Sequence, residues 1–222
     1  MACCRKNNPL KNKSVLFVGD SLCEAVCEWE SELYSKTPGW AGRIGANNEM
    51  DCVNASKGGA SMSLCRGENR VINQLIAQNG NKYDYLIIEG GCNDAWDSAP
   101  VGAMTDSFDG PFDENSFAGG LEATFKYAKE NFADSVFGFI VTFQMPASPF
   151  GRMSDMSEYF ALSKLICDKW GIEYLDLYFD SDFNRNEMKG ETDINLADTV
   201  HPNSSGYNVL TPRIEKWMKT LK

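Results

Sequence analysis

The chain holds a single histidine, so imidazole chemistry near neutral pH rests on His201. Asp198 stands three residues before it. At that spacing a carboxylate can reach one ring nitrogen, fix the tautomer and stabilise an imidazolium. Pro202 biases His201 away from helical backbone angles and puts the pair on a loop. Such a base serves a hydroxyl or thiol nucleophile, and Ser21 is the best candidate. It lies in Gly19-Asp20-Ser21-Leu22, directly after the apolar run Ser14–Val18, where a strand gives way to a helix. Its N–H is then one of the unpaired donors at the helix start, where an oxyanion is favoured. Acyl transfer also needs donors aimed at the developing oxyanion. The candidates are the N–H of Gly59, in Asn54-Ala55-Ser56-Lys57-Gly58-Gly59-Ala60-Ser61, and the side-chain amide of Asn93, in Gly90-Gly91-Cys92-Asn93-Asp94. Each block also has an ordinary reading. Gly-Asp-Ser is a common capped turn, Gly-Gly a turn with positive φ, Asn-Asp after glycines a turn, and a lone histidine is commonly structural.

Five apolar runs must position these residues: Ser14–Val18, Met50–Asn54, Tyr83–Glu89, Val136–Phe143 and Ile172–Leu177. They are continuous rather than alternating, which is the habit of parallel strands covered on both faces. Helical stripes lie between them. One is Val71, Ile72, Leu75 and Ile76. A second is Phe117, Leu121, Phe125, Ala128 and Phe132. A third is Tyr159, Leu162, Leu165 and Ile166, closed by Gly171. The last carries Tyr207, Leu210, Ile214, Trp217 and Leu221, and Pro212 is expected to kink it or to restart it with Thr211 as N-cap. Strands alternating with helices give an α/β domain with right-handed crossovers. Residues 1–13 are polar and basic and read as a flexible tail, leaving 14–222 as one domain. In such a sheet, ligands bind outside the carboxyl ends of the strands. The first three blocks each follow a strand, and the fourth, Asp198-Thr199-Val200-His201, precedes the last helix.

A chain of 222 residues can bury a sizeable core without staples. Its formal net charge of −10 disfavours nucleic acid and anionic membranes as partners. No run of apolar residues is long enough to span a bilayer, so integral membrane association is not expected. The eight cysteines read as small, reduced side chains. Cys23 and Cys27 lie one helical turn apart, but with no second pair and one histidine they make no zinc site, and neither metal nor organic cofactor is expected. No export signal is visible, so the cytoplasm is the default compartment. Secretion or lipid anchoring, with Cys3-Cys4 as a lipidated start, requires a longer natural chain.

Residues 94–115 hold six acidic side chains, no Lys or Arg, and the apolar Trp96, Met104, Phe108 and Phe112. Two readings stand: a wall or flap over the substrate pocket, or an acidic loop packed by its own aromatics. Asp106, Asp109 and Asp113 do not have EF-hand spacing. The segment 144–153 is expected to line the same cleft, and Tyr178, Phe179 and Phe183 are equally placed for core or pocket.

Taken in order, GDSL at 19–22, NASKGGAS at 54–61, GGCND at 90–94 and DTVH at 198–201 resemble the SGNH (GDSL-type) hydrolase family. The resemblance implies a flavodoxin-like three-layer α/β/α sandwich with strand order 2-1-3-4-5. It implies Ser21 as nucleophile, His201 as base and Asp198 as its orienter. It implies an oxyanion hole from the Ser21 N–H, the Gly59 N–H and the Asn93 amide, with Gly58 adjacent to Gly59 leaving some ambiguity between them. The expected activity is hydrolysis of small acyl esters through an acyl-enzyme, with O-acetylated carbohydrate as substrate by analogy. The alternatives are a lysophospholipase or thioesterase on longer chains, and a non-catalytic glycan- or ester-binding module.

Overall fold

The computed structural model describes residues 8–26, 39–145, 155–188 and 194–222. Five strands, β1 (Ser14–Val18), β2 (Asp51–Asn54), β3 (Tyr85–Glu89), β4 (Val136–Val141) and β5 (Glu173–Asp176), form one sheet in the order β2-β1-β3-β4-β5. Every pairing is parallel, with Leu16 opposite Val53 on one side and Leu86 on the other. The expected fold class and strand order are therefore observed. The order places the switch point between β1 and β3, whose outgoing connections carry Ser21 and Asn93.

Adjacent residues of β4 fix the layers. Gly138 lies under the Trp217 indole, close enough that a Cβ there would sit 2.5 Å from the ring. Phe139, its neighbour, stacks edge-on with Phe125 at 5.6 Å. Successive strand residues face opposite sides. So α7 (Ser204–Met218) covers one face and α5 (Phe117–Asn131) the other. α2 (Gly39–Asn48) packs with α7, and α3 (Val71–Ala77) and α6 (Ser157–Trp170) pack with α5. Two short helices, α1 (Ser21–Glu24) and α4 (Cys92–Trp96), start at the carboxyl ends of β1 and β3.

Three details differ from expectation. α2 is absent from the sequence reading because Gly39, Gly42 and Gly45 weaken its helical signal. Gly45 is needed for packing, since a Cβ there would meet the Cys52 Cβ at 2.8 Å. α7 runs through Pro212 instead of restarting at Thr211. The carbonyl that Pro212 leaves without an N–H belongs to Asn208, and both residues are exposed to water. The segment expected to be a tail is docked from Asn8 onward. Leu10 is fully buried, Asn8 Nδ2 donates to Asn48 Oδ1 at 2.8 Å, and Lys13 pairs with Asp84. Residues 1–7, with Cys3 and Cys4, lie outside the described residues, as does Cys27; the described cysteines 23, 52, 65, 92 and 167 are free thiols.

The long acidic segment is strapped down. The Lys169 ammonium, at the end of α6, donates to the carbonyls of Thr105 (2.8 Å) and Ser107 (2.7 Å) and to the Glu122 carboxylate. Glu122 also accepts the Thr105 N–H at 2.9 Å. Phe108 and Phe112 pack edge-on against Trp170, at 5.1 and 6.2 Å. Only Gly171 and Ile172 separate Trp170 from β5, so this cluster lies at the amino end of the strands. Residues 105–112 therefore follow the packed-loop reading, and only Trp96, at the start of the segment, lines the cleft described next.

Candidate active site

Ser21 meets the sequence-distant pair Asp198 and His201 at the carboxyl end of β1. Ser21 Oγ lies 2.8 Å from His201 Nε2, and His201 Nδ1 lies 2.8 Å from Asp198 Oδ2. The second Asp198 oxygen accepts the N–H groups of Val200 (2.7 Å) and His201 (2.6 Å). Burial pushes the Asp198 carboxyl up, but the hydrogen bonds from the His201 ring and from both backbone amides outweigh it, and the net shift is downward. The carboxylate therefore keeps its charge below the usual carboxylate range. The chain Ser21–His201–Asp198 opens on a cleft of about 280 Å³, lined by Gly59, Arg66, Cys92, Asn93, Trp96, Met145, Met156 and Val200 among others.

Local sequence explains the pose of Ser21. β1 is followed by Gly19, whose N–H and C=O are both clasped by the Gln74 amide, at 2.9 and 2.8 Å. Asp20 caps α1 by accepting the Leu22 N–H at 2.9 Å. From α7, the Tyr207 hydroxyl donates to the Leu22 carbonyl at 2.8 Å. The helix carrying the serine is thus tied to the helix that follows the histidine.

The oxyanion candidates converge on the same point. Gly58 donates its N–H to the Glu24 carboxylate, while neither Gly59 N–H nor Ser21 N–H has an acceptor among the described residues. This favours Gly59 over Gly58 as the donor left for a ligand. Gly59 has φ +76°, which a side chain would strain. The Asn93 amide donates to the Ala60 carbonyl at 2.9 Å and, more loosely, to Asp20 Oδ2 at 3.3 Å. Asp94, beside it, is fully buried and accepts the N–H groups of Met62 and Ser63, both at 2.8 Å, so it holds the chain just beyond Ala60.

Sequence reading missed a second carboxyl behind Asp20. Glu89 ends β3 with no solvent exposure; one oxygen accepts the Asp20 N–H at 3.2 Å and the other has no partner among the described residues. A lone acidic residue closing an apolar strand was its only signal. Burial, then the nearby Asp20, pushes Glu89 well above the ordinary carboxyl range, and burial brings Asp20 to about 6. Asp20, Glu89 and Cys92 bring ligand atoms within 4.8 Å of one another. Burial pushes the Glu89 carboxyl and the Cys92 thiol up, which disfavours the deprotonated forms a metal needs. In the unfolded chain Glu89 loses its proton near pH 4.5; in the folded chain it keeps it. At this group the folded state thus binds more proton than the unfolded chain above pH 4.5, and the contribution of Glu89 to stability falls as pH rises from there. Glu89→Gln, neutral and of the same shape, is expected to flatten that fall between pH 5 and 8, read as urea midpoints. Parallel curves for variant and wild type would show Glu89 ionised in the fold.

Other expectations divide. Met145 and Met156 bracket the cleft, but residues 146–154 lie outside the described residues. Tyr178 and Phe183 are core, Phe179 is exposed, and none of the three lines the cleft. Arg66, not singled out in the sequence, does line it and pairs with Asp97 through Nε (2.6 Å) and Nη2 (3.1 Å). No helix among the described residues is long and apolar enough to cross a membrane.

Comparison with solved structures shows a shared fold. A Lactobacillus plantarum protein is 19% identical with a TM-score of 0.74, covering 95% of this chain and 98% of its own. A member of the lipolytic protein G-D-S-L family from Veillonella parvula is 16% identical with a TM-score of 0.63, covering 94% and 99%. The psychrotrophic esterase EstA from Pseudoalteromonas sp., in a structure inhibited by monoethylphosphonate, is 17% identical with a TM-score of 0.62, covering 94% and 100%. No curated protein sequence matches the chain. The model of the GDSL-like lipase/acylhydrolase family matches residues 17–209, a span that takes in all four sequence blocks and the Ser21–His201–Asp198 chain. The chain therefore belongs to the GDSL-like lipase/acylhydrolase family, and its general activity is that of a serine ester hydrolase.

Proposed function

We propose that Ser21 is the nucleophile, His201 the general base and Asp198 the group that orients it, and that the enzyme cleaves small acyl esters, with O-acetylated carbohydrate as the substrate class. The observation that carries this reading is the pair of 2.8 Å contacts linking Ser21, His201 and Asp198 at the mouth of the cleft. With Nδ1 donating to Asp198, Nε2 is free to take the Ser21 proton as Oγ bonds to the carbonyl carbon. The carbonyl oxygen becomes an oxyanion facing the N–H groups of Ser21 and Gly59. It takes the second hydrogen of the Asn93 amide from Asp20, the longer of that amide's two bonds. His201 then passes its proton to the departing alkoxide, and the acyl group stays on Ser21. Water, deprotonated by His201, attacks the acyl-enzyme and restores the serine hydroxyl.

A cleft of about 280 Å³ fits a short acyl group. Trp96, half-exposed at its wall, gives a flat apolar face on which a sugar ring can stack. The methionines and Val200 favour the second reading, a longer acyl chain, as their lining is apolar. Hydrolysis of p-nitrophenyl esters from acetyl to long acyl chains separates the two. Rates that fade with chain length support the short-acyl reading, and rates that rise move the assignment to lipids. No turnover, together with no serine-directed fluorophosphonate label on Ser21, would leave a binding module. In the same assay Asp198→Asn is expected to keep partial activity, about tenfold or more above Ser21→Ala, because the orienting carboxylate does not itself react. A wild-type rate in Asp198→Asn would remove Asp198 from that role.

A further inference from the structure

The loop that follows the Gly58-Gly59 turn folds back on it. Ser61 and Arg70 form a short parallel bridge, in which Ser61 donates its N–H to the Asn69 carbonyl at 3.0 Å and Val71 donates to Ser61 at 3.0 Å. Closing residues 61–70 in this way brings Arg66 and Asn69 over the turn. The Asn69 amide donates to the Gly58 carbonyl at 3.0 Å, and Arg66 Nη1 donates to the Gly59 carbonyl at a longer 3.4 Å. Asp97 holds the Arg66 guanidinium through two other nitrogens. From the opposite side, Glu24 of α1 accepts the Gly58 N–H.

A trans peptide points its C=O and its N–H in opposite directions. The carbonyl of Gly58 and the N–H of Gly59 belong to one such peptide. Whatever pulls the carbonyl one way aims the N–H the other way. Asn69 holds that carbonyl, and the N–H on the other side has no acceptor among the described residues. A peptide between two glycines can otherwise flip at little cost, because neither residue has a Cβ to restrict it. The brace is close-fitting: a Cβ on Gly59 would lie 2.9 Å from Arg66 Nη1 and 3.3 Å from Asn69 Nδ2.

We propose that Asn69 is a positioning residue for ester hydrolysis: by holding the Gly58 carbonyl it aims the Gly59 N–H at the oxyanion, with Glu24 and Arg66 fixing the peptides on either side. This rests on the reading of the Gly59 N–H as an oxyanion donor. Loss of the hold leaves the donor in place but lets its peptide turn. The rate loss is therefore smaller than the roughly 100- to 1000-fold expected for removing a donor outright.

The test compares Asn69→Leu, close in volume but unable to donate, and Asn69→Asp, of the same shape with an acceptor facing the carbonyl, with wild type. Both variants are expected to lose about tenfold or more in kcat on p-nitrophenyl acetate, with KM and thermal midpoint little changed. A trifluoromethyl ketone, which binds Ser21 as an oxyanion, is expected to weaken by the same factor as kcat/KM. A structural role alone would not tie those two quantities together. Full kcat in both variants overturns the proposal, as does a lower kcat with unchanged ketone affinity. Wild type without Ser21-dependent hydrolysis overturns instead the assignment of the site, an outcome visible before any Asn69 variant is made.

Discussion

In Ser21→Ala, hydrolysis of p-nitrophenyl acetate is expected to fall by about 10⁴-fold or more, with the thermal midpoint within a few degrees of wild type. The change removes one oxygen at the mouth of a cleft, whose only side-chain partner among the described residues is His201 at 2.8 Å, so no cavity opens in the core. Among the described residues no neighbouring thiol is set to take over. Cys23 and Cys92 are buried, and burial raises both well above the usual thiol range, so neither supplies a thiolate. A residual rate above the uncatalysed reaction is still expected, because the oxyanion donors and the cleft remain. Activity within tenfold of wild type in Ser21→Ala would mean that another group attacks the ester. Labelling of wild type, and not the variant, by a fluorophosphonate makes the same test without turnover.

Lys169→Met is expected to produce the opposite pattern: a large loss of stability with the chemistry intact in the protein that stays folded. The Lys169 side chain is 9% exposed and its partner Glu122 has no exposure. Removing the ammonium leaves a buried carboxylate without its counter-charge. Breaking a pair of this kind costs about 3–5 kcal/mol. For a domain of this size each kcal/mol moves the midpoint by about 2–4 °C, so a drop of about 10 °C is expected by calorimetry or circular dichroism. The carbonyls of Thr105 and Ser107 lose their donor at the same time, freeing the acidic loop from α6. Ser21 labelling at low temperature should be unchanged, since this clasp lies at the end of the sheet away from the cleft. Replacing Glu122 by Leu as well removes the uncompensated charge and is expected to recover part of the loss. A drop under about 2 °C in Lys169→Met would show that water reaches the pair.

The strands were legible because each is a short apolar run closed by a glycine or a polar residue, and burial on both faces leaves no other reading for Leu86-Ile87-Ile88. The residues that touch the substrate in the proposed mechanism were legible because they sit in short blocks at strand ends. What supports them was not. Gln74 clasps Gly19 from 55 residues away, and Asn69 and Arg66 reach Gly58 and Gly59 across a loop whose closure depends on one bridge. An Asn, a Gln or an Arg on a half-buried surface has no local pattern that distinguishes it from its neighbours. The sequence favours Gly59 over Gly58 by position alone; a physical reason for that preference comes from Glu24, whose carboxylate takes the Gly58 N–H. Leu10 was misread because one apolar residue in a polar segment gives no period to follow, although it is fully buried.

Ser21 and His201 stand 180 positions apart, and α7, which Tyr207 fastens to Leu22, helps to bring them together. During synthesis the ribosome delivers the hydroxyl 180 residues before the imidazole. With these two in the roles proposed, a growing polypeptide passes those 180 residues of elongation with a serine that has no base beside it. Catalysis then switches on as α7 seats, so ester cleavage reports that α7 has docked on α1, and chains that stall before His201 lack the base.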